Sequence, residues 1–304
     1  MKTKYKDLIT SLNKNIASLD TQFNCKIPDN SWIGEAIKIT EDLIIRIDND
    51  KKLDESQLQD KFYLDKCYSS LSQLQELNFI LSGIRLIDKQ DIKIFLKKLK
   101  IVFNAPLLMS NETSNSNEGR NTLFELKLFL RFKYANYNVN LCADHPDILL
   151  IVDGRGYAIE CKRIYKPETL ISNAKVAIEQ LQKYSLSQEN RFGIVAISIT
   201  RYFHSGNKYL AAKSENTARL RINQEMSTLF ERNKQALLSL FPVKIPVLIL
   251  EFSDRGEIQK PYSFNFFDII ETANGRWSNF DQVKRDLYKL GQIEIADGKT
   301  DGQN

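Results

Sequence analysis

The sequence predicts an α/β protein, in which a mixed central sheet is covered by helices and preceded by an all-helical N-terminal region. Three observations predict this fold class. Apolar residues in roughly the first hundred positions recur at helical spacing. The pair Asp153-Gly154 separates two short apolar runs, which is typical of a β-hairpin. Helical and β-branched segments then alternate to about residue 252.

The N-terminal domain is predicted to span residues 1–105 and to contain four amphipathic helices. Their apolar positions repeat every three or four residues and do not alternate. These helices are expected at about 8–19, 33–47, 56–87 and 91–103. Because no glycine-rich or basic-aromatic pattern occurs there, we interpret this domain as one for packing, oligomerisation or sensing. It would bind a second copy of the chain or a partner protein.

The second domain is predicted to span residues 120–295, after a small, polar, flexible linker at 106–119. The expected order is a helix, three strands, a helix, a strand, a helix and a strand. These elements are placed at about 120–134, 139–142, 147–152, 157–164, 167–184, 192–200, 215–240 and 246–252. The polar tail at 296–304 is expected to be disordered.

Composition excludes several classes of protein. The 304 residues carry a formal net charge of +5, which permits a polyanionic partner without requiring one. No apolar run is long enough for a membrane span, and we predict no signal peptide. The four cysteines form no C-x-x-C pair, so neither a disulfide framework nor a cysteine zinc site is expected. We therefore expect a cytoplasmic protein without a membrane partner.

The catalytic chemistry open to the chain is also narrow. It has only two histidines, and the nucleophile elbow G-x-S-x-G and the P-loop pattern G-x-x-x-x-G-K-[ST] are both absent. An enzyme with this composition would depend on carboxylates, lysine and a metal ion.

The residues best suited to such chemistry lie at the ends of two predicted strands. Because strand side chains alternate between faces, Glu160 and Lys162 share one face and Cys161 points to the other. A carboxylate and an ammonium at the end of a buried strand are unfavourable unless they are used. Asp147 opens the preceding strand, so the hairpin would bring two carboxylates and a lysine together. That combination suits a magnesium-dependent phosphodiesterase.

These residues resemble the motif of the PD-(D/E)XK nuclease superfamily, with Pro146-Asp147 followed thirteen positions after the Asp by Glu160-Cys161-Lys162. Gln180 and Tyr184 look like the Q-x-x-x-Y element of RecB-type nucleases and share one helix face. The resemblance covers residues of about 120–200 and implies a restriction-endonuclease-like fold. It also implies a metal-dependent nuclease, DNA favoured, such as a restriction or antiviral defence effector. The RecB-type cysteine cluster is missing, so no iron–sulfur cofactor is inferred.

The resemblance further implies which residues bind metal. Asp147 and Glu160 would bind Mg²⁺, or Mn²⁺ as a substitute, together with the backbone carbonyl of Cys161. Glu125, on the helix before the Asp strand, would hold a water of the metal shell or assist a second metal.

The remaining matched residues would act on the substrate. Lys162 would orient the attacking water and stabilise charge on the phosphorane. Gln180 and Tyr184 would brace the lysine or contact the phosphate backbone. Basic residues near the site would follow a nucleic-acid backbone, with strong salt dependence. These basic residues are Arg163, Lys166, Lys175 and Lys183.

Each assignment has a structural alternative. Thr122 and Glu125 also fit a helix capping box. Asp147 could be a turn residue at the start of a strand, and Glu160 and Lys162 an ion pair on an edge strand.

Other residues near the motif have plain interpretations too. Gln180 and Tyr184 could be ordinary helix surface. We interpret Cys161 as a core residue and His145 as a turn residue.

Two other functions stay open. A catalytically silent nucleic-acid-binding or scaffold protein could retain the nuclease fold. Alternatively, the N-terminal helices could gate the nuclease as a sensor or dimerisation module.

Overall fold

The computed structural model describes most of the chain and divides it into two compact units. The described residues are 2–28, 30–48, 61–106, 118–164, 166–184, 190–200, 210–245, 247–259, 262–272 and 280–288. The first unit holds the described residues within 2–87 and 95–127, and the second those within 88–94 and 128–288. The division thus falls inside two helices and not at the predicted linker. Most of that linker, at 107–117, and the tail at 296–304 lie outside the described residues.

The predicted N-terminal helices are confirmed. The helices that belong to the first unit wholly or in part are α1 (Lys2–Phe23), α2 (Trp32–Asp48), α3 (Lys61–Ser82), α4 (Ile92–Val102) and α5 (Glu118–Tyr134). Helices α1, α2 and α3 pack against one another. Their apolar stripes are buried because helical spacing places those residues on one face; they include Leu12, Ala36, Leu74 and Leu77. In the described part of the chain, no helix is long and apolar enough to cross a membrane.

Polar contacts fix the helices of the first unit against one another. Ser11 Oγ and Asn15 Nδ2 in α1 both donate to Asn78 Oδ1 in α3, at 3.1 and 3.0 Å. Lys127 Nζ in α5 lies 2.8 Å from Glu76 Oε1 in α3, and both side chains are largely buried. A buried charge needs such a partner, so this ion pair specifies how α5 meets α3.

The second unit is built on a seven-stranded mixed sheet. Its strands are β1 (Asn138–Leu141), β2 (Ile148–Val152), β3 (Arg155–Arg163), β4 (Arg191–Ser198), β5 (Leu210–Ala212), β6 (Val247–Gln259) and β7 (Tyr262–Thr272). The order is β1-β2-β3-β4-β6-β5, and β7 also pairs with β6. Strands β1 to β3 are antiparallel neighbours, whereas β3, β4 and β6 are parallel. The predicted α/β class with a mixed sheet is confirmed.

A two-residue turn joins β2 to β3 and sets the register of the hairpin. Asp153 and Gly154 have φ values of 48° and 77°, and Val152 pairs with Arg155. Two positive φ angles define the turn type that matches the twist of paired strands, and Asp-Gly adopts it readily. The predicted hairpin is therefore confirmed, and its register determines which residues of the two strands face each other.

Helices α6 (Leu170–Lys183) and α7 (Glu215–Leu240) pack on one face of the sheet. Gly193 in β4 allows this close packing. A Cβ atom there would lie 2.8 Å from Ile245 Cγ1 and 3.2 Å from Leu181 Cδ1 of α6. A side chain at this position would therefore displace Ile245 and press on Leu181 of α6.

Helix α8 (Phe280–Asp286) lies against the opposite face. The hydroxyl of Tyr157 in β3 donates to the Asp286 carboxylate, and Arg155 Nε lies 2.8 Å from Asp286 Oδ2. Burial opposes ionisation of Asp286, but these hydrogen bonds lower the pKa of its carboxyl below the usual value. A charged, largely buried Asp286 thus anchors the helix to the sheet.

The sequence-based prediction was incomplete near the C-terminus. Strands β5 and β7 and helix α8 were not predicted, and β6 continues to Gln259 instead of ending at residue 252. The apolar run stops at Phe252, and polar residues with a glycine follow it. Pairing with β7 along almost all of β6 extends the strand beyond its apolar part.

Candidate metal centre

Three side chains converge where β2 begins and β3 approaches its end. They are His145 in the loop before β2, Asp147 immediately before β2, and Glu160 in β3. One ligand atom from each of the three lies within 4.8 Å of the other two. The hairpin contributes to this grouping, because Ile148, the residue after Asp147, pairs with Ile159, the residue before Glu160.

Asp147 is held by the hairpin itself. Its side chain is buried, and its backbone N–H donates to the Ile159 carbonyl at 3.0 Å. Its Oδ2 accepts a hydrogen bond of 2.7 Å from the Cys161 N–H. Asp147 thus lies in the bend just before β2 and is hydrogen-bonded to β3 through both its backbone and its side chain. Because the N–H and C=O of one strand residue point to the same side, the Cys161 carbonyl also faces the Asp147 side.

Glu160 is completely buried, and its two carboxylate oxygens have different surroundings. Oε1 lies 2.8 Å from Lys162 Nζ and 2.8 Å from His145 Nδ1. Oε2 is buried and has no hydrogen-bond partner among the described residues. In the sheet β3 lies between β2 and β4, although at Glu160 and Lys162 it pairs with β4 alone. A buried carboxylate oxygen without a partner is costly and needs an explanation.

The electrostatics of Glu160 agree with its position. Burial raises the pKa of the Glu160 carboxyl above its ordinary value, and the neighbouring Asp147 raises it further. Lys162 and His145 oppose the increase but do not cancel it. A positive charge near Oε2 would favour the ionised form.

The side chains present fit a divalent cation. Two carboxylates and a backbone carbonyl are hard oxygen ligands of the kind that Mg²⁺ and Mn²⁺ bind. The Glu160 Oε2 atom would gain the partner that it lacks within the described structure. Asp147, Glu160 and the Cys161 carbonyl are therefore the residues that could hold such an ion.

His145 was interpreted from the sequence as a turn residue; it lies in the bend between β1 and β2, and its side chain also contacts Glu160. Its side chain is about half exposed, at 53%, yet its Nδ1 reaches Glu160 Oε1. Gln180 Nε2, from α6, lies 2.7 Å from His145 Nε2. Both His145 and Asp147 lie before the first residue of β2, so strand alternation in the sequence could not have revealed this contact.

Tyr184 contacts Arg191, and Glu125 contacts Lys98. Tyr184 is the residue that follows α6. Its ring lies 5.8 Å from the guanidinium of Arg191, at the start of β4. Glu125 lies in the first unit, where its Oε2 is 2.6 Å from Lys98 Nζ. The capping-box interpretation is wrong, because α5 begins at Glu118 and Thr122 therefore lies within the helix.

The predicted basic residues separate into two groups. Lys166, Lys175 and Lys183 are exposed. Arg163 is buried, and alternation along β3 directs it to the face opposite Lys162. Only the three lysines are therefore available to a ligand in solution.

Comparison with known proteins assigns no family. A scan of the sequence against protein-family models and a search of curated proteins both found no match. The geometry of the site and the spacing of its residues therefore carry the functional proposal.

Proposed function

We propose that this protein is a metal-dependent nuclease that hydrolyses phosphodiester bonds, with DNA as the favoured substrate. The observation that carries this proposal is the fully buried Glu160, whose Oε2 lacks a partner in the described structure and whose carboxylate lies beside that of Asp147. Lys162, bonded to the same carboxylate, supplies a cation beside the two acids. This is the set of groups that the PD-(D/E)XK motif resemblance implies.

The arrangement of elements supports a restriction-endonuclease-like fold. Helix α5, the Asp147 strand β2, its hairpin partner β3, helix α6 and strand β4 follow one another in that order. The parallel pairing of β3 and β4 places α6 over the face that carries Glu160.

Each residue at the site would have a separate task. Asp147, Glu160 and the Cys161 carbonyl would hold Mg²⁺ or Mn²⁺. The ion, when bound, would polarise the scissile phosphate and lower the pKa of a bound water. The Lys162 ammonium would orient the attacking water and stabilise negative charge as it develops on the phosphate. The exposed Lys166, Lys175 and Lys183 would bind the backbone on either side.

Cleavage of plasmid DNA and of labelled DNA and RNA oligonucleotides, with Mg²⁺ or Mn²⁺, tests this function. Asp147→Ala and Lys162→Ala are each expected to lower the rate by roughly 100-fold or more. Glu231→Ala removes a carboxylate from an exposed position of α7 and should leave the rate unchanged. Metal-dependent cleavage that survives both site substitutions would contradict the proposal. Salt-sensitive binding without cleavage under any divalent ion would favour a catalytically silent protein instead.

A further inference from the structure

His145 is held in the metal centre although the proposed function does not require it. Its Nδ1 lies 2.8 Å from Glu160 Oε1, and the three candidate ligand atoms lie within 4.8 Å of one another. Adjacent ligands in an octahedral shell of about 2.1 Å radius are roughly 3 Å apart. The imidazole nitrogen and Glu160 Oε1, the oxygen that also contacts Lys162, are thus spaced as neighbouring ligands of one ion.

Gln180 determines which imidazole nitrogen can bind a metal. In the present orientation its amide Nε2 donates to His145 Nε2, so the imidazole proton is on Nδ1, facing Glu160. Gln180 Oε1 is meanwhile buried and has no hydrogen-bond partner among the described residues. Rotating the amide by 180° lets Oε1 accept a hydrogen bond from Nε2–H. Nδ1 then carries a lone pair directed toward the carboxylates.

A third argument comes from ligand chemistry. Imidazole is a poor ligand for Mg²⁺, which prefers oxygen, and a better one for transition ions. Affinity for a mixed nitrogen and oxygen site rises from Mn²⁺ through the later divalent ions. Histidine ligands usually donate their other ring N–H to an acceptor that fixes the tautomer. Gln180 Oε1 is such an acceptor.

We propose that His145 is a nitrogen ligand of the metal bound by Asp147 and Glu160, with Gln180 as its positioning residue, so that the site prefers Mn²⁺ to Mg²⁺. This inference rests on the metal centre of the proposed function. It assigns to Gln180 a partner other than the lysine or the phosphate backbone.

Pulsed electron paramagnetic resonance (EPR) of the full chain loaded with Mn²⁺ tests the nitrogen ligand. The wild type should show modulation from a coordinated ¹⁴N nucleus, and His145→Ala should abolish it. Competition titrations should show that His145→Ala weakens Mn²⁺ binding by about 10- to 100-fold while Mg²⁺ binding changes little. Gln180→Ala should weaken Mn²⁺ binding by up to about tenfold and keep the modulation. The matched control is Gln182→Ala, at an exposed position of the same helix, and should match the wild type.

The outcomes separate this inference from the proposed function. Bound Mn²⁺ without ¹⁴N modulation in the wild type, or an unchanged Mn²⁺ to Mg²⁺ preference in His145→Ala, would overturn the nitrogen ligand. The oxygen-ligated centre and the nuclease proposal would then stand. If neither ion binds the wild type, both proposals fail. Modulation that persists in Lys162→Ala and disappears in His145→Ala supports the assignment to the imidazole.

Discussion

At the scale of single residues, one carboxylate at the candidate site lies in surroundings that are unfavourable for its charged form. Glu160 is fully buried beside Asp147, and one of its oxygens has no partner in the described structure. Proteins commonly tolerate such unfavourable groups at functional sites, where replacement increases stability and removes activity. Glu160 therefore allows the functional interpretation to be tested without a substrate.

Glu160→Gln is predicted to stabilise the metal-free protein by about 1 kcal/mol near neutral pH. Since burial and Asp147 raise the pKa of Glu160 in the folded state, the folded protein binds more protons than the unfolded chain between the two pKa values. The destabilisation caused by Glu160 has its full size above the raised pKa of the folded state. It disappears below the pKa of the unfolded chain, about 4.3. The advantage of Glu160→Gln should therefore shrink as the pH falls. Urea denaturation with a chelator, over a range of pH, measures it.

The control is Glu179→Gln on the exposed surface of α6, which makes the same change of charge and should alter stability little. If metal-free Glu160→Gln is less stable than the wild type near neutral pH, the ion pair with Lys162 stabilises the protein by more than the burial of Glu160 destabilises it.

Part of this site was predictable from single residues, and part was not. Alternation along a strand and an Asp-Gly turn were enough to bring Asp147, Glu160 and Lys162 together. The pairing of His145 with Gln180 depends on how the loop before β2 crosses toward α6. Neither periodicity nor turn chemistry contains that information.

At the scale of secondary-structure elements, α6 matters because it carries Gln180 to the site. Its distance from the sheet depends on Gly193, where a Cβ atom would lie 2.8 Å from Ile245 and 3.2 Å from Leu181. Leu181 is the residue after Gln180, so displacement of one moves the other. Packing in β4 and geometry at the metal centre are therefore linked.

Gly193→Ala is predicted to destabilise the protein by about 1 to 3 kcal/mol, because overpacking a filled core forces neighbouring groups to move. It should also weaken Mn²⁺ binding, since it displaces the helix that carries Gln180. Urea denaturation and metal titration measure the two effects. Gly156→Ala in β3 is the matched control, because its nearest neighbour would be 3.6 Å away. Equal stability of the two variants would exclude close packing at Gly193 as the determinant of the helix position.

The elements that were predicted and those that were missed differ in one physical respect. Helices α1 to α4, the hairpin and α7 are determined by local periodicity or by a turn, which are visible in the sequence. The later part of β6 exists through pairing with β7, and α8 is anchored by the contacts of Asp286 with β3. Contacts between residues distant in sequence cannot be inferred from the spacing of apolar residues.

At the scale of the whole molecule, the net charge of +5 is small, and the placement of positive charge matters more than the total. Lys175 and Lys183 are exposed on α6, the helix that also carries Gln180. These two lysines are therefore the exposed positive charges of α6 to test for nucleic-acid binding.

Binding of the full chain to duplex DNA, measured with a chelator to prevent cleavage, should weaken as salt increases. The double substitution Lys175→Glu with Lys183→Glu should weaken binding at every salt concentration. It should also reduce the slope of log affinity against log salt by roughly 2. Lys14→Glu with Lys26→Glu makes the same change of charge at exposed positions of the first unit. An equal reduction of the slope by both pairs would show that net charge, not the α6 surface, determines binding.

The central claim is that a divalent metal binds between Asp147 and Glu160. Titration of the full chain with Mn²⁺, with the EPR signal of the free ion as readout, tests it most directly. We predict one site in the wild type, loss of that site in Asp147→Ala, and its retention in Glu231→Ala. Mn²⁺ binding that is equal in Asp147→Ala and the wild type, or absent from the wild type, would contradict the claim.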